Sequence, residues 1–299
     1  MKVLFICQRD WANHSYIMTQ CLKKVGIEAI AVTTHANKLH FPEQAIKCND
    51  PNKLNEYTRE TDVIVFMHSQ FIGTNVDLKT KKVLVFHTGS RYRQHPTEMN
   101  SLFDPIVDVT LTAADTFNLC GKNEKYVVVP VDTEKLQPIY NTNNLIIAHY
   151  PSGNKGKDII CSVMEEFDVE FRYSNEVVSW EQNIQRLSEC DIYIEDLRQK
   201  QRNRVTSGFG LTALEAASLG KIVVTRLIYK EKYEEEIGKC AIQVANNKEE
   251  LYNVIKNLIS LNPDQILELK RQSRKWVENC HSYKVVGNMF KTIFNEIKK

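Results

Sequence analysis

Short, continuous apolar runs alternate with helix-forming segments along most of this chain, stop once at residues 131–144, and then begin again. Runs such as Val3–Cys7, Ile27–Thr33, Val63–Met67, Lys82–Phe86 and Val107–Leu111 lack the polar–apolar alternation of a half-exposed strand. Such strands are buried on both faces, which calls for parallel sheets covered by helices on either side. A helix is expected at Ser15–Val25, closed by Gly26, and a further strand at Tyr126–Val129. The polar stretch Val131–Asn144, with Pro138, reads as a linker. Beyond it come strands at Leu145–Ala148, Val169–Tyr173, Asp191–Ile194, Ile222–Thr225 and Ala241–Val244, with helices at Asp158–Phe167, Trp180–Ser188 and Leu211–Leu219. Asn262 and Pro263 open a helix over Asp264–Asn279, and a last one is expected at Tyr283–Ile297. The expected fold class is α/β, in two doubly wound domains whose ligands lie outside the carboxyl ends of the strands.

Length and composition agree with that reading. A chain of 299 residues suits two domains of ~100–150 residues each. With 42% hydrophobic and 25% charged residues it is an ordinary globular sequence, and a net charge of +2 gives no support for a broad nucleic-acid footprint. The apolar run before Gln8 is too short for a leader, and no stretch approaches the ~20 apolar residues of a membrane span. Eight dispersed cysteines without a Cys-x-x-Cys pair point to free thiols in the cytoplasm, not to a disulfide framework or a zinc site.

One segment carries chemistry on its face. In Ser207-Gly208-Phe209-Gly210-Leu211-Thr212 a glycine-bracketed turn enters a helix, and Glu215 follows one turn later. Glycines let a ligand approach the backbone, and unsatisfied N–H groups at a helix start attract phosphate. Glu215 is then placed to accept hydrogen bonds from ribose hydroxyls, while Ala213, Ala216 and Ala217 let the helix lie close to its sheet. A small-residue helix packed in any α/β core is the competing reading.

This segment resembles the nucleotide-binding signature of glycosyltransferase family 4, whose members have the GT-B fold. Leu145-Ile-Ile-Ala-His149-Tyr-Pro151-Ser152-Gly-Asn-Lys155-Gly156 is similar to the strand and loop that open the family's second domain. Val83-Leu-Val-Phe-His87-Thr-Gly-Ser90-Arg-Tyr-Arg93 is similar to an element whose histidine touches the transferred sugar. The resemblance implies two Rossmann-like domains flanking an inter-domain cleft: residues 1–135 on the acceptor side, 145–280 for the nucleotide sugar, and 281–299 as a helix returning to the first domain. It assigns catalytic roles to His87 and Lys155, and donor contacts to Ser152, Lys155, Arg204, Ser207, Gly208, Phe209, Gly210, Leu211, Thr212 and Glu215. Ser207 stands where many members have a sugar-binding glutamate, and either Arg202 or Arg204 is expected to substitute for an arginine missing ahead of Lys155-Gly156. Arg9, Asp10, Trp11 and Arg93 are acceptor-side candidates; Trp11 reads equally as a stacking surface or as a half-buried loop residue.

The implied activity is transfer of a sugar from a nucleoside-diphosphate sugar to a hydroxyl, with retention and without a cofactor or metal. No Asp-x-Asp pair follows a strand, so a lysine and a helix N-terminus are left to meet the leaving-group charge. The acceptor stays open between a glycan, another hydroxyl compound and nucleic acid, and peripheral contact with a membrane is left open too. The rival reading is a nucleotide-sugar-binding protein without turnover, prompted by Ser207. An NAD-linked enzyme is disfavoured because no Gly-x-Gly-x-x-Gly follows the first strand.

Overall fold

The structure, a computed structural model, describes residues 1–36, 41–113, 121–140, 145–198, 200–201, 204–205 and 208–297. The chain forms two compact units, Met1–Pro130 with Tyr283–Lys299, and Val131–Ser282. In chain order the first unit contains β1 (Lys2–Cys7), α1 (His14–Lys24), β2 (Glu28–Thr33), β3 (Ile46–Lys47), α2 (Pro51–Arg59), β4 (Val63–Met67), β5 (Lys82–His87), α3 (Gly89–Gln94), α4 (Pro96–Phe103), β6 (Val109–Thr112) and β7 (Lys125–Tyr126). The second contains β8 (Ile146–His149), α5 (Lys157–Met164), β9 (Glu170–Tyr173), α6 (Trp180–Ser188), β10 (Ile192–Ile194), β11 (Lys200–Gln201), β12 (Arg204–Val205), α7 (Leu211–Ser218), β13 (Ile222–Thr225), α8 (Lys230–Glu236), β14 (Gln243–Val244), α9 (Lys248–Ser260) and α10 (Pro263–Cys280). The final helix, α11 (Tyr283–Glu296), belongs to the first unit.

The first unit is built on a parallel sheet in the order β3-β2-β1-β4-β5-β6-β7. Its central strands are buried on both faces, as their unbroken apolar runs require: Val3–Cys7 and Val63–Met67 are wholly inside. Each such Val, Leu, Ile or Phe contributes about 1.5–3 kcal/mol relative to exposure. Helix α11 lies against α1 at a point where only glycine fits, since a Cβ on Gly287 would sit 2.2 Å from the Cys21 carbonyl oxygen. The second unit has its own parallel sheet, β14-β13-β10-β8-β9, with a core that includes Ile147, Ile192, Val224, Ile255 and Leu258. The order of strand addition reverses between β1 and β4 in one sheet and between β8 and β10 in the other. These switch points are where doubly wound sheets open a crevice at their carboxyl ends.

Capping residues set the helix starts. Asn262 and Gln265 form a reciprocal capping box ahead of α10, and Ser179 and Gln182 do the same for α6. Asp50 and Pro51 repeat the Asn262–Pro263 signal and open α2, a helix absent from the sequence reading. Helices α4 and α9 were likewise absent from it. The strands expected at Tyr126–Val129 and Ala241–Val244 shrink to β7 and β14, two residues each, because both are edges that pair on one side only.

Residues 131–140 of the expected linker belong to the second unit; 141–144 lie outside the described residues. Two buried cations explain the first part. Arg274 donates to the carbonyls of Thr133 and Leu136 and to that of Ser218, and Lys221 donates to those of Ile139 and Ser188. No described helix is long and apolar enough to cross a membrane.

Candidate functional site

At the β8/β10 switch point of the second unit, sequence-predicted residues meet Glu195, which sequence reasoning missed. Strand β10 delivers Glu195 immediately after its last residue, and the carboxylate is almost wholly buried. Its Oε1 forms an ion pair with Lys155 Nζ and comes so near the glycine turn that a Cβ on Gly210 would sit 3.1 Å away. Lys155 is positioned by its own loop, because its carbonyl accepts from Leu197 N and Gly156 has φ +84°. A Cβ at residue 156 would also lie 2.9 Å from the Leu197 carbonyl carbon, so only glycine allows the two loops to touch.

Gly210 is the N-cap of α7 and contributes no side chain to its orphan N–H groups, which leaves the helix start open to a ligand. The preceding turn is held from two sides. Gly208 N donates to the Arg226 carbonyl, and the Phe209 ring packs edge-on against Tyr233, Trp276 and His281 at 5.3–5.7 Å. Those three form a network of their own, in which Trp276 Nε1 donates to Tyr233 Oη at 3.0 Å and Tyr233 Oη pairs with His281 Nε2 at 2.7 Å.

Glu215 points inward from α7. Trp180, the first residue of α6, donates its indole N–H to Glu215 Oε1 at 2.6 Å, while Oε2 is buried without a partner. Burial pushes the Glu215 carboxyl up to about 8; the Trp180 hydrogen bond opposes that shift and the charge of Glu195 adds to it. The Trp180 ring carries Lys135 Nζ 4.3 Å from its centroid. His149 ends β8 with Nδ1 on the Ile194 carbonyl at 2.8 Å and Nε2 buried without a partner. Burial lowers its pKa, against the opposing pull of the Ile194 hydrogen bond and the Glu195 charge. Three unpartnered buried polar atoms, on His149, Glu195 and Glu215, thus gather around one switch point.

The other predicted donor residues are placed unevenly. Ser152 is exposed, Leu211 and Thr212 stand half-buried in the first turn of α7, Ser207 lies outside the described residues, and so does the side chain of Arg204. Glu195, Trp180 and His149 are the site residues without an assigned role in the sequence. Glu195 had a signal, as a carboxylate directly after a buried strand; the Trp180–Glu215 bond spans 35 residues and had none.

In the first unit, His87 ends β5 but its ring is fully buried. The ring stacks on Tyr92 at 3.8 Å, meets Phe103 edge-on and takes a hydrogen bond with Ser69 Oγ at 2.8 Å. Burial lowers its pKa to about 3, and Nε2 has no partner. Asp10 is buried too, accepting from the backbone N–H of Ser15 and Tyr16 at the start of α1, with His68 Nε2 3.5 Å from Oδ1. Gln70 accepts the backbone N–H of Gln8 and Arg9 on one carbonyl oxygen and so fixes the loop after β1. Trp11 is half-buried in a single 3₁₀ turn, and Arg93 is half-buried in α3.

No protein-family model matches the sequence, and no curated protein matches it. Solved structures do. HepE of Anabaena, in complex with UDP and glucose, superposes with a TM-score of 0.67 at 12% identity, covering 99% of this chain and 100% of that one. Sucrose-phosphate synthase of Thermosynechococcus elongatus gives 0.65 at 11% identity over 99% and 98%. AviGT4, a glycosyltransferase of avilamycin A biosynthesis, gives 0.62 at 10% identity over 99% and 97%. At such identities the likeness establishes the fold, which is that of GT-B glycosyltransferases.

Proposed function

We propose that the protein transfers a sugar from a nucleoside-diphosphate sugar to a hydroxyl acceptor, with retention of configuration and no metal at the diphosphate. The observation that carries this reading is the meeting of Lys155, Glu195, the start of α7 and Glu215 at the β8/β10 switch point. The fold shared with nucleotide-sugar-bound HepE supports it.

In this reading the diphosphate lies against the open N–H groups of α7 and the Lys155 ammonium, and the ribose reaches Glu215. Oε2 of Glu215 is open to a ribose hydroxyl, while Oε1 already accepts from Trp180. As the glycosidic bond breaks, charge grows on the leaving phosphate, and Lys155 with α7 meets it in a partly desolvated site. Glu195 acts as a positioning residue that holds Lys155 extended before the donor arrives. The pairing of the nearby carboxylates supports metal independence: Glu195 is bound to Lys155, and Asp196 to Arg198. The acceptor hydroxyl is deprotonated by the leaving phosphate on the same face of the sugar.

A transfer assay with a panel of UDP-, GDP- and ADP-sugars tests the proposal. Lys155→Ala is expected to lower kcat by about 10²–10³, the usual cost of one aimed charge-stabilising donor. Glu215→Ala should chiefly raise the Kd for nucleoside diphosphate, because the ribose contact exists in ground and transition state alike. Adding magnesium or manganese to EDTA-treated enzyme should leave the rate unchanged. A Lys155→Ala enzyme of full activity, or a rate restored only by manganese, refutes the mechanism. Nucleotide binding without either transfer or donor hydrolysis would instead support a binding protein that lacks turnover.

A further inference from the structure

We propose that Cys7, Asp10 and His68, at the β1/β4 switch point of the first unit, hold a zinc ion. Each offers one ligand atom, and these atoms all lie within 4.8 Å of one another, buried, at or just past the carboxyl ends of two adjacent parallel strands. All three belong to the first unit, so the inference does not depend on the donor site.

The strongest observation is the contact between His68 and Asp10. At 3.5 Å, Nε2 and Oδ1 are too far apart for a good hydrogen bond. They are close to the separation of about 3.3 Å expected for two ligands of one tetrahedral zinc at about 2.0 Å each. The surroundings agree. His68 Nδ1 pairs with Thr88 Oγ1 at 2.6 Å, and such a bond at the far ring nitrogen orients a ligating imidazole. When Nδ1–H donates there, Nε2 turns a lone pair toward a carboxylate oxygen, an arrangement that a cation between them relieves. Asp10 is in turn fixed by the N–H groups of Ser15 and Tyr16.

Charge balance selects the ion. Binding displaces the Cys7 thiol proton to solvent and leaves thiolate and carboxylate, whose two negative charges neutralise one divalent cation in a buried pocket. A mixed sulfur, nitrogen and oxygen set suits zinc and disfavours magnesium or calcium, which take oxygen ligands. His14 lies beside this set but outside the ligand group, and the fourth position is left to water. The His14 ring lies 5.6 Å from that of His68, the side chain is 7% exposed, and its Nε2 is buried without a partner. Motif spacing could not reveal this set, because its third ligand lies 58 residues beyond the second.

Cobalt(II) titration of the full chain after chelation tests the site. A thiolate-to-cobalt charge-transfer band that saturates at stoichiometric metal and is bleached by zinc is expected. Cys7→Ser should lose the band, and Thr88→Val should keep it while weakening zinc affinity about 10–100-fold. The wild-type titration decides even where a variant fails to fold. A chain that shows no band and stays at background zinc after incubation with the metal overturns the proposal, as does an equal band in Cys7→Ser.

Discussion

Burial of Glu215 makes the protonation of one side chain a variable in the stability of the second unit. Its carboxyl titrates near 8 when folded and near the ordinary value of 4.5 when unfolded, so between these limits the folded state binds the extra proton. Stability then falls as pH rises through that window, with a limiting slope of about 1.4 kcal/mol per pH unit. The penalty is absent below the lower limit and complete above the upper one. Glu215→Gln removes it, so thermal scans from pH 5 to 8 should show the variant gaining steadily on the wild type. Parallel curves would mean that Glu215 is ionised throughout. The same residue shows where sequence reading stops. Its position one turn into a glycine-led helix was legible, but its indole partner was not, because that contact depends on how α6 and α7 pack. Glu195 and Lys155 are separated by 40 residues and are brought together only by the order of β8 and β10.

At the scale of elements, what was legible follows locality. Buried parallel strands declare themselves through unbroken apolar runs, and α6, α10 and α11 through their caps or periodicity. Two-residue edge strands carry no such signal, whereas α9, KEELYNVIKNLIS, was missed although Asn247 caps its start and Pro263 stands three residues past its end. Close approaches between helices are equally silent in sequence until coordinates exist. Gly287→Ala is the direct test of one: the added methyl meets the Cys21 carbonyl, and overpacking of this kind costs about 1–3 kcal/mol. A lower denaturation midpoint is expected, and an unchanged one would show that α11 shifts freely. A second anchor is the fully buried Lys270 of α10, paired with Asp191 beside β10. Lys270→Met strands the carboxylate and should cost about 3–5 kcal/mol, readable in urea melts.

For the whole molecule, the decisive fact is that one unit is continuous in the chain and the other is not. Residues 131–282 contain every residue of the proposed donor site, a complete five-stranded sheet and the helices covering it. A segment of that size buries about two-thirds of its unfolded surface, enough to stand alone. Expressed by itself it should unfold in a single transition and retain affinity for nucleoside diphosphate; a molten fragment would show that it depends on the rest of the chain.

Helix α11 leaves the ribosome only after the whole second unit has been made. Until then α1 and Phe5 lack the side chains that cover them, Phe290 among them, and Cys21 awaits Gly287. Synthesis therefore runs in an order unlike the spatial one: the unit begun first is completed last. Throughout elongation the nascent chain carries an uncovered apolar face, the kind of surface that chaperones hold and that aggregates when they do not.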